Sequence, residues 1–348
     1  MIEPRSVLVT GGAGFIGSSF VDRLLSDPST PSIERVVVLD LLTYAGRREN
    51  LARAERDPRV AFVHGDICDR VLVARLFRDH DFDAVVHLAA ESHVDRSIED
   101  ASPFIRTNVL GTSVLVEEAH AAWRGEAGLR GRRFVHVSTD EVYGALGADP
   151  ATRFDERSPY APTSPYAASK AASDLIVRSF YKTHGLPTIV THSSNNYGPR
   201  QLPEKLVPRM ITCALEGRPM PVYGDGAHIR EWLHVEDHVR GLVLALACGE
   251  PGETYDFGGE TELPNRALVE RVADLVDEAM ARDVGTSRRL MTFVPDRRGH
   301  DFRYATNCAK ARASLGWAPA RSFDEGISAT VAWYRTRCAS GPGAEVLR

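Results

Sequence analysis

Three glycines spaced three apart, Gly11, Gly14 and Gly17, lie between a short apolar run over 6–10 and an amphipathic stretch that reaches Leu25. Few folds accept that pattern. The first glycine permits a tight turn, the second lets backbone N–H groups approach a pyrophosphate, and the third lets the following helix pack close to the strand. The helix N-terminus brings partial positive charge to bound phosphates. Glycines alone also serve plain turns. Here a strand precedes and a helix follows, and a second strand over 35–39 ends in Asp40. That combination points to dinucleotide binding. The Asp40 carboxylate can accept from a ribose 2′-OH and would repel a 2′-phosphate. Leu41 and Leu42 follow with no adjacent arginine, so NAD is favoured over NADP; Arg47 and Arg48, a few residues on, pull the other way.

Apolar runs and amphipathic stretches then alternate. Strands are expected at 60–64, 84–89, 134–137 and 188–191, and long helices at 103–122 and 166–183. Unbroken βα order predicts an α/β chain with a doubly wound parallel Rossmann sheet. After Pro199 the periodicity loosens. A helix at 207–216, a turn at 223–226, a strand at 231–235 and a helix at 265–280 predict a smaller C-terminal α/β substrate-binding domain. The expected division is 1–198 for cofactor and catalysis, 199–340 mainly for substrate and interleaved with late sheet strands, and 341–348 as a loose tail.

Composition excludes several classes. The formal net charge of -5 over 348 residues gives no signal for nucleic acid or an anionic membrane. Five cysteines are scattered without a CxxC pair, which argues against a disulfide framework or a zinc site and suits a reducing cytoplasm. No metal is expected. No apolar stretch has the length of a signal peptide or membrane span.

Chemistry concentrates after the strand at 134–137. Ser138, Thr139, Asp140 and Glu141 sit at its carboxyl end, where open α/β sheets bind ligands. Tyr166 and Lys170, four apart on a helix, share a face. A nearby ammonium and a positive nicotinamide ring would favour the Tyr166 phenolate, making it a base for a hydroxyl proton as hydride leaves the same carbon. Alcohol oxidation needs no more than this. Two further carboxylates allow elimination: one ionised, to take a carbon-bound proton beside a ketone, and one protonated, to donate to a departing hydroxide. The plain alternative is a charged strand end or helix cap. Asp66 suits either an adenine contact or the cap of a helix starting near Asp69. Glu91 and His93 fall short of a metal site and read better as a hydrogen-bonded loop.

Residues 10–17, 87–97, 138–144, 164–170 and 195–199 together resemble the extended short-chain dehydrogenase/reductase superfamily, and within it the sugar-nucleotide 4,6-dehydratases. Residues 203–206, 230–238 and 299–304 extend the resemblance to about 6–335. It implies a homodimer built through a four-helix bundle of the two long helices, NAD as cofactor and dTDP-glucose as substrate. It implies catalytic roles for Thr139, Asp140, Glu141, Tyr166 and Lys170. Cofactor contacts fall to Gly11, Gly14, Phe15, Ile16, Gly17, Asp40, Leu41, Leu42, Thr43, Asp66, Ile67, Leu88, Ala89, Ala90, Ser92, Thr107, Tyr166, Lys170 and Asn196. Substrate contacts fall to Ser92, Thr139, Asp140, Glu141, Asn195, Glu204, Lys205, Leu206, Pro221, Tyr223, Arg230, Asn265, Arg297 and His300. Arg230 also stands on its own chemistry, a permanently charged fork suited to a diphosphate, with a surface ion pair as the plain alternative. The sequence departs from the family pattern at Ser19, Arg200 and Arg298, and the two arginines are expected near the substrate phosphates or base. Competing readings are a UDP-sugar epimerase or decarboxylase, and an NAD-binding protein without catalysis.

Overall fold

The computed structural model describes residues 2–28, 30, 32–124 and 128–339; the expected tail at 341–348 lies outside the described residues. The strands are β1 (Ser6–Thr10), β2 (Arg35–Asp40), β3 (Val60–His64), β4 (Ala84–His87), β5 (Arg133–Val137), β6 (Thr188–Ser193), β7 (Asn195–Tyr197), β8 (Met220–Tyr223), β9 (Ile229–His234), β10 (Thr254–Phe257), β11 (Glu262–Pro264) and β12 (Met291–Val294). Seven of them form one parallel sheet in the order β3-β2-β1-β4-β5-β6-β10. The chain starts at the centre, builds outward to β3, then returns to β4 on the other side of β1. That reversal opens a crevice at the carboxyl ends of β1 and β4.

The period-two alternation of each strand assigns its side chains. Val7, Val9, Val36, Val38, Val86 and Val135 enter one core, which includes Phe20, Leu24 and Leu242 of the helices Phe15–Ser26 and Val235–Cys248. Leu8, Val37, Leu39, Val85, Phe134 and Val190 enter a second, which includes residues of Arg70–His80, Thr112–Trp123 and Pro165–His184. Both faces are covered, which is why the strands read as near-continuous apolar runs. Each such side chain contributes on the order of 1.5–3 kcal/mol. The Pro165–His184 helix has a full set of end signals. Ser164 accepts from Ala167 N, Pro165 opens the first turn, and Gly185 closes it at φ 68°.

The long helix expected at 103–122 is not uniform. An α turn at Ser102–Phe104 passes into a π stretch, Ile105–Gly111, before regular α-helix resumes at Thr112. The wider π turn carries Thr107 and Asn108, and Asn108 bonds the Glu91 backbone on both sides and Ser169 Oγ. Side-chain periodicity does not distinguish such a turn over seven residues.

Later in the chain, β11-β9-β7 and β12-β8 form two small sheets. Helices Leu206–Glu216, Asn265–Ala279 and Phe323–Ala339 share a separate core with them, including Met210, Ile211, Leu268, Val272 and Ile327. β10 returns to the main sheet beside β6.

Two glycines are fixed by contact. Gly11 has φ +70°, and a Cβ there would lie 2.5 Å from Ala89 N. A Cβ on Gly17 would lie 2.1 Å from Gly11 O. The third glycine therefore brings the helix against the turn itself rather than against the strand. Gly17→Ala is expected to lower unfolding free energy by roughly 1–3 kcal/mol, the usual cost of forced overpacking, in denaturant titrations. An unchanged midpoint would show that the turn yields freely.

Candidate active site

β5 delivers the reactive groups. Past Val137 the chain makes one 3-10 turn, Asp140–Tyr143, in which the Thr139 hydroxyl accepts from Glu141 N at 3.4 Å. Asp140 is 2% exposed, and its Oδ2 has no hydrogen-bond partner among the described residues. Across the turn lies the Pro165–His184 helix. Tyr166 hydrogen-bonds Thr139, and Lys170 Nζ donates to Val137 O at 2.8 Å.

The two carboxyls sit in different fields. Burial pushes the Asp140 carboxyl far up, and the charges of Glu141 and Glu231 push it further; Arg230 opposes them. Burial also raises Glu141, but three cations, Lys205, Arg230 and Arg297, hold it down. Asp140 therefore keeps its proton to higher pH than Glu141. This is the split that one acid and one base at one pH require.

Those cations are anchored. Lys205 Nζ donates to Ser92 O at 2.7 Å. Arg230 is 7% exposed, donates to the carbonyls of Ile229 and Asp301 at 2.7 and 2.8 Å, and lies over the Tyr304 ring. Its burial and carbonyl partners exclude the surface ion pair. Arg297 pairs with Asp95 at 2.6 Å.

Burial shifts both Tyr166 and Lys170. Burial raises the Tyr166 phenol above its ordinary value, and Glu141 adds to this, while the Thr139 hydrogen bond opposes them. Burial pushes Lys170 down to about 8, with Asp174 pulling the other way.

The glycine turn, the ends of β1, β2, β4 and β5, and Tyr166 with Lys170 line one continuous cleft. The expected cofactor residues line it with one exception. Leu42 does not; at φ 53° it turns away and packs on the core, while its N–H donates to Asp40 Oδ1 at 2.8 Å. Asp40 Oδ2 accepts from Ala13 N at 2.9 Å, so this carboxylate joins the glycine turn to the next loop and keeps lone pairs for a ribose hydroxyl. Asp69, not Asp66, caps the Arg70–His80 helix. Asp66 accepts from Cys68 N and pairs with Arg106 at 2.9 Å. Asn196 is turned toward Ser193 and His238. The close-fitting glycine turn and the unpartnered, buried Asn195 Oδ1 leave room and an open acceptor for a dinucleotide and its neighbour.

A second cleft adjoins the first. Ser92, Glu141, Asn195, Glu204 and Lys205 line both. Leu206, Pro221, Tyr223, Arg230, Asn265, Arg297 and His300 line only the second, and Thr139 and Asp140 only the first. Arg200 is misplaced by the sequence reading. It has φ 73° and pairs with Asp22 of the first helix at 2.7 Å, outside both linings. Arg298 is exposed and also outside them. Ser19 donates to Phe15 O within its own helix.

Glu91 and His93 behave as a loop; the nearest carboxylate to His93 is Glu204 at 3.7 Å. Sequence reasoning missed a tighter set, His228, Asp296 and His300, whose ligating atoms lie within 4.8 Å of one another. The two imidazoles stack at 3.7 Å and Asp296 bonds His300 at 2.7 Å. Also missed was Arg209 in the second cleft, which Asp301 and Tyr304 line as well. A buried chain, Asp174–His192–Asp256, starts one helical turn past Lys170. Only Asp174 left a readable trace, at four residues past Lys170.

Sheet order, glycine turn and the Tyr166–Lys170 helix define an extended short-chain dehydrogenase/reductase. Residues 8–330 match the family model described as GDP-mannose 4,6 dehydratase. The dTDP-glucose 4,6-dehydratase of Neisseria meningitidis serogroup B is 51% identical over 335 residues, covering 95% of this chain and 93% of that one. A dTDP-glucose 4,6-dehydratase of Escherichia coli K12 is 48% identical over 337 residues, covering 94% and 92%. The crystal structure of DesIV, a dTDP-glucose 4,6-dehydratase from Streptomyces venezuelae solved with NAD, matches with TM-score 0.87 and 49% identity over 96% of this chain and 98% of that one. A Thermotoga maritima UDP-glucose 4-epimerase shares the fold at TM-score 0.81 and 30% identity, over 95% and 99%. With half its residues identical along nearly its whole length, the chain belongs to the dTDP-glucose 4,6-dehydratase family.

Tyr166 is expected to stay neutral above pH 10 without cofactor, and to ionise at lower pH once NAD is added. The tyrosinate absorbance difference against Tyr166→Phe measures this. Ionisation near neutral pH without NAD would contradict it.

Proposed function

We propose that the chain is a dTDP-glucose 4,6-dehydratase, converting dTDP-glucose to dTDP-4-keto-6-deoxyglucose and water. The observation that carries this is the Asp140–Glu141 pair, two adjacent carboxyls in opposed fields beside a Tyr–Lys oxidation site. When bound, NAD supplies the acceptor for the C4 hydride and returns that hydride to C6. Tyr166, helped by Thr139 and Lys170, takes the O4 proton. Glu141 takes the C5 proton, now acidic beside a ketone. Asp140 gives its proton to the C6 hydroxyl, which leaves as water. A proton returns to C5 as hydride reaches C6, so no outside reductant is consumed. Arg230, Arg297, Lys205 and His300 hold the nucleotide diphosphate end, and Asp40 the adenosine ribose. An epimerase or an inert NAD binder has no use for the second carboxyl.

The same reading includes a homodimer. Ile105 and Leu110 on one long helix and Leu175 on the other are 57%, 48% and 58% exposed. Those two helices pack against each other within the chain, and a second copy would cover their outer residues in a four-helix bundle. No helix among the described residues is long and apolar enough to cross a membrane. We place the protein in the cytoplasm, where its five unpaired cysteines stay reduced.

Three experiments decide. With dTDP-glucose deuterated at C4 and no added reductant, the product should carry the label at C6. Asp140→Asn with Glu141→Gln should still transfer hydride while elimination falls by at least ~100-fold; undiminished elimination would refute the roles. Ile105→Asp with Leu175→Asp should sediment as a monomer, and a persistent dimer would place the interface elsewhere.

A further inference from the structure

Lys170 is 3% exposed, yet its ammonium makes one hydrogen bond among the described residues, to a neutral carbonyl. A buried cation needs a nearby anion or it loses its proton. The groups around it can be named. On its own helix are Tyr166 and, one turn on, Asp174. From β4 comes His87, held between the Thr10 and Thr112 hydroxyls and kept neutral by burial. From β5 comes His136, pushed down to about 4 by burial and by Lys170, so also neutral. From β6 comes His192. Glu141, Asp140 and Asp174 all act on Tyr166, each raising its phenol. The anion acting on Lys170 is Asp174.

Asp174 is fully buried and held through Oδ2, which lies 3.0 Å from His192 Nε2 and 2.9 Å from the Tyr160 hydroxyl; His136 Nε2 comes within 3.1 Å of Oδ1 but bonds Ser173 Oγ, and Oδ1 has no hydrogen-bond partner among the described residues. His192 also contacts Asp256 at 2.8 Å through Nδ1, and the Tyr143 hydroxyl reaches both. Burial works against a charged His192, but the two carboxylates outweigh it and bring it up to about 9. Two carboxylates and one imidazolium leave the group one negative charge, which matches the one positive charge of Lys170.

We propose that Asp174 is the counter-charge of Lys170, a positioning residue that keeps an ammonium beneath Tyr166, with His192 and Asp256 fixing its carboxylate. This deepens the proposed function and rests on Tyr166 being the oxidation base. The packing alone does not call for an acid here, since an apolar side chain fills a core at less cost.

The test reads the nitrogen NMR titration of Lys170 in the NAD-loaded protein, so it needs no turnover. Asp174→Asn should lower the Lys170 midpoint by about one unit, the usual size for losing a charge at this range, and Asp174→Glu should restore part of it. An unmoved Lys170 midpoint in folded Asp174→Asn overturns the proposal. If Asp174→Asn does not fold, the unaltered protein decides. A midpoint above about 7 supports the counter-charge; one below it, toward the range of buried lysines without a partner, overturns it. Failure to convert dTDP-glucose would sink the proposed function and leave this titration readable on its own.

Discussion

The unequal surroundings of two neighbouring carboxyls are what the rest of this structure supports. Asp140 and Glu141 are consecutive, so proximity alone would make them a symmetric pair sharing a proton. A single 3-10 turn breaks the symmetry. It sends Asp140 inward toward Glu231 and Asp256, and leaves Glu141 facing Lys205, Arg230 and Arg297. In the proposed reaction the first group gives a proton and the second accepts one.

This arrangement makes the later part of the chain a participant in the chemistry. The cations around Glu141 come from residues 205, 230 and 297, and each is fixed by a contact beyond the site: Ser92 O, the carbonyls near Ile229 and Asp301, and Asp95. Charges set in place before substrate arrives cost no reorganisation during reaction. The first half of the chain supplies the sheet edge and the hydride site. The second supplies the cations that oppose the burial of Glu141, so residues of both parts surround the proposed base.

Most of the fold was legible because most strands of the main sheet are buried on both faces and the Arg70–His80 and Pro165–His184 helices carry clear caps. β1 to β6 fall close to their expected positions for that reason. The glycine turn, Asp40 and the Thr139–Lys170 set were readable because each has a local signature. What escaped the sequence depends on chain packing at long range. The π turn at Ile105–Gly111 keeps a helical pattern. The φ of Leu42 turns one residue out of a cleft that its neighbours line. Arg200 looked like a phosphate ligand by position, but Asp22, far off in sequence, claims it. The His136, Asp174, His192 and Asp256 group joins four elements, and nothing in a single stretch marks it. The same holds for Tyr166, whose raised phenol follows from burial that sequence does not reveal.

The central claim is the order in which the two carboxyls titrate. Carbon NMR of the side-chain carboxyls, assigned with Asp140→Asn and Glu141→Gln, reads it directly in the unaltered, NAD-loaded protein. The account predicts that near neutral pH Asp140 is protonated and Glu141 ionised, with Asp140 titrating last as pH rises. A Glu141 carboxyl that holds its proton to higher pH than Asp140 would contradict it.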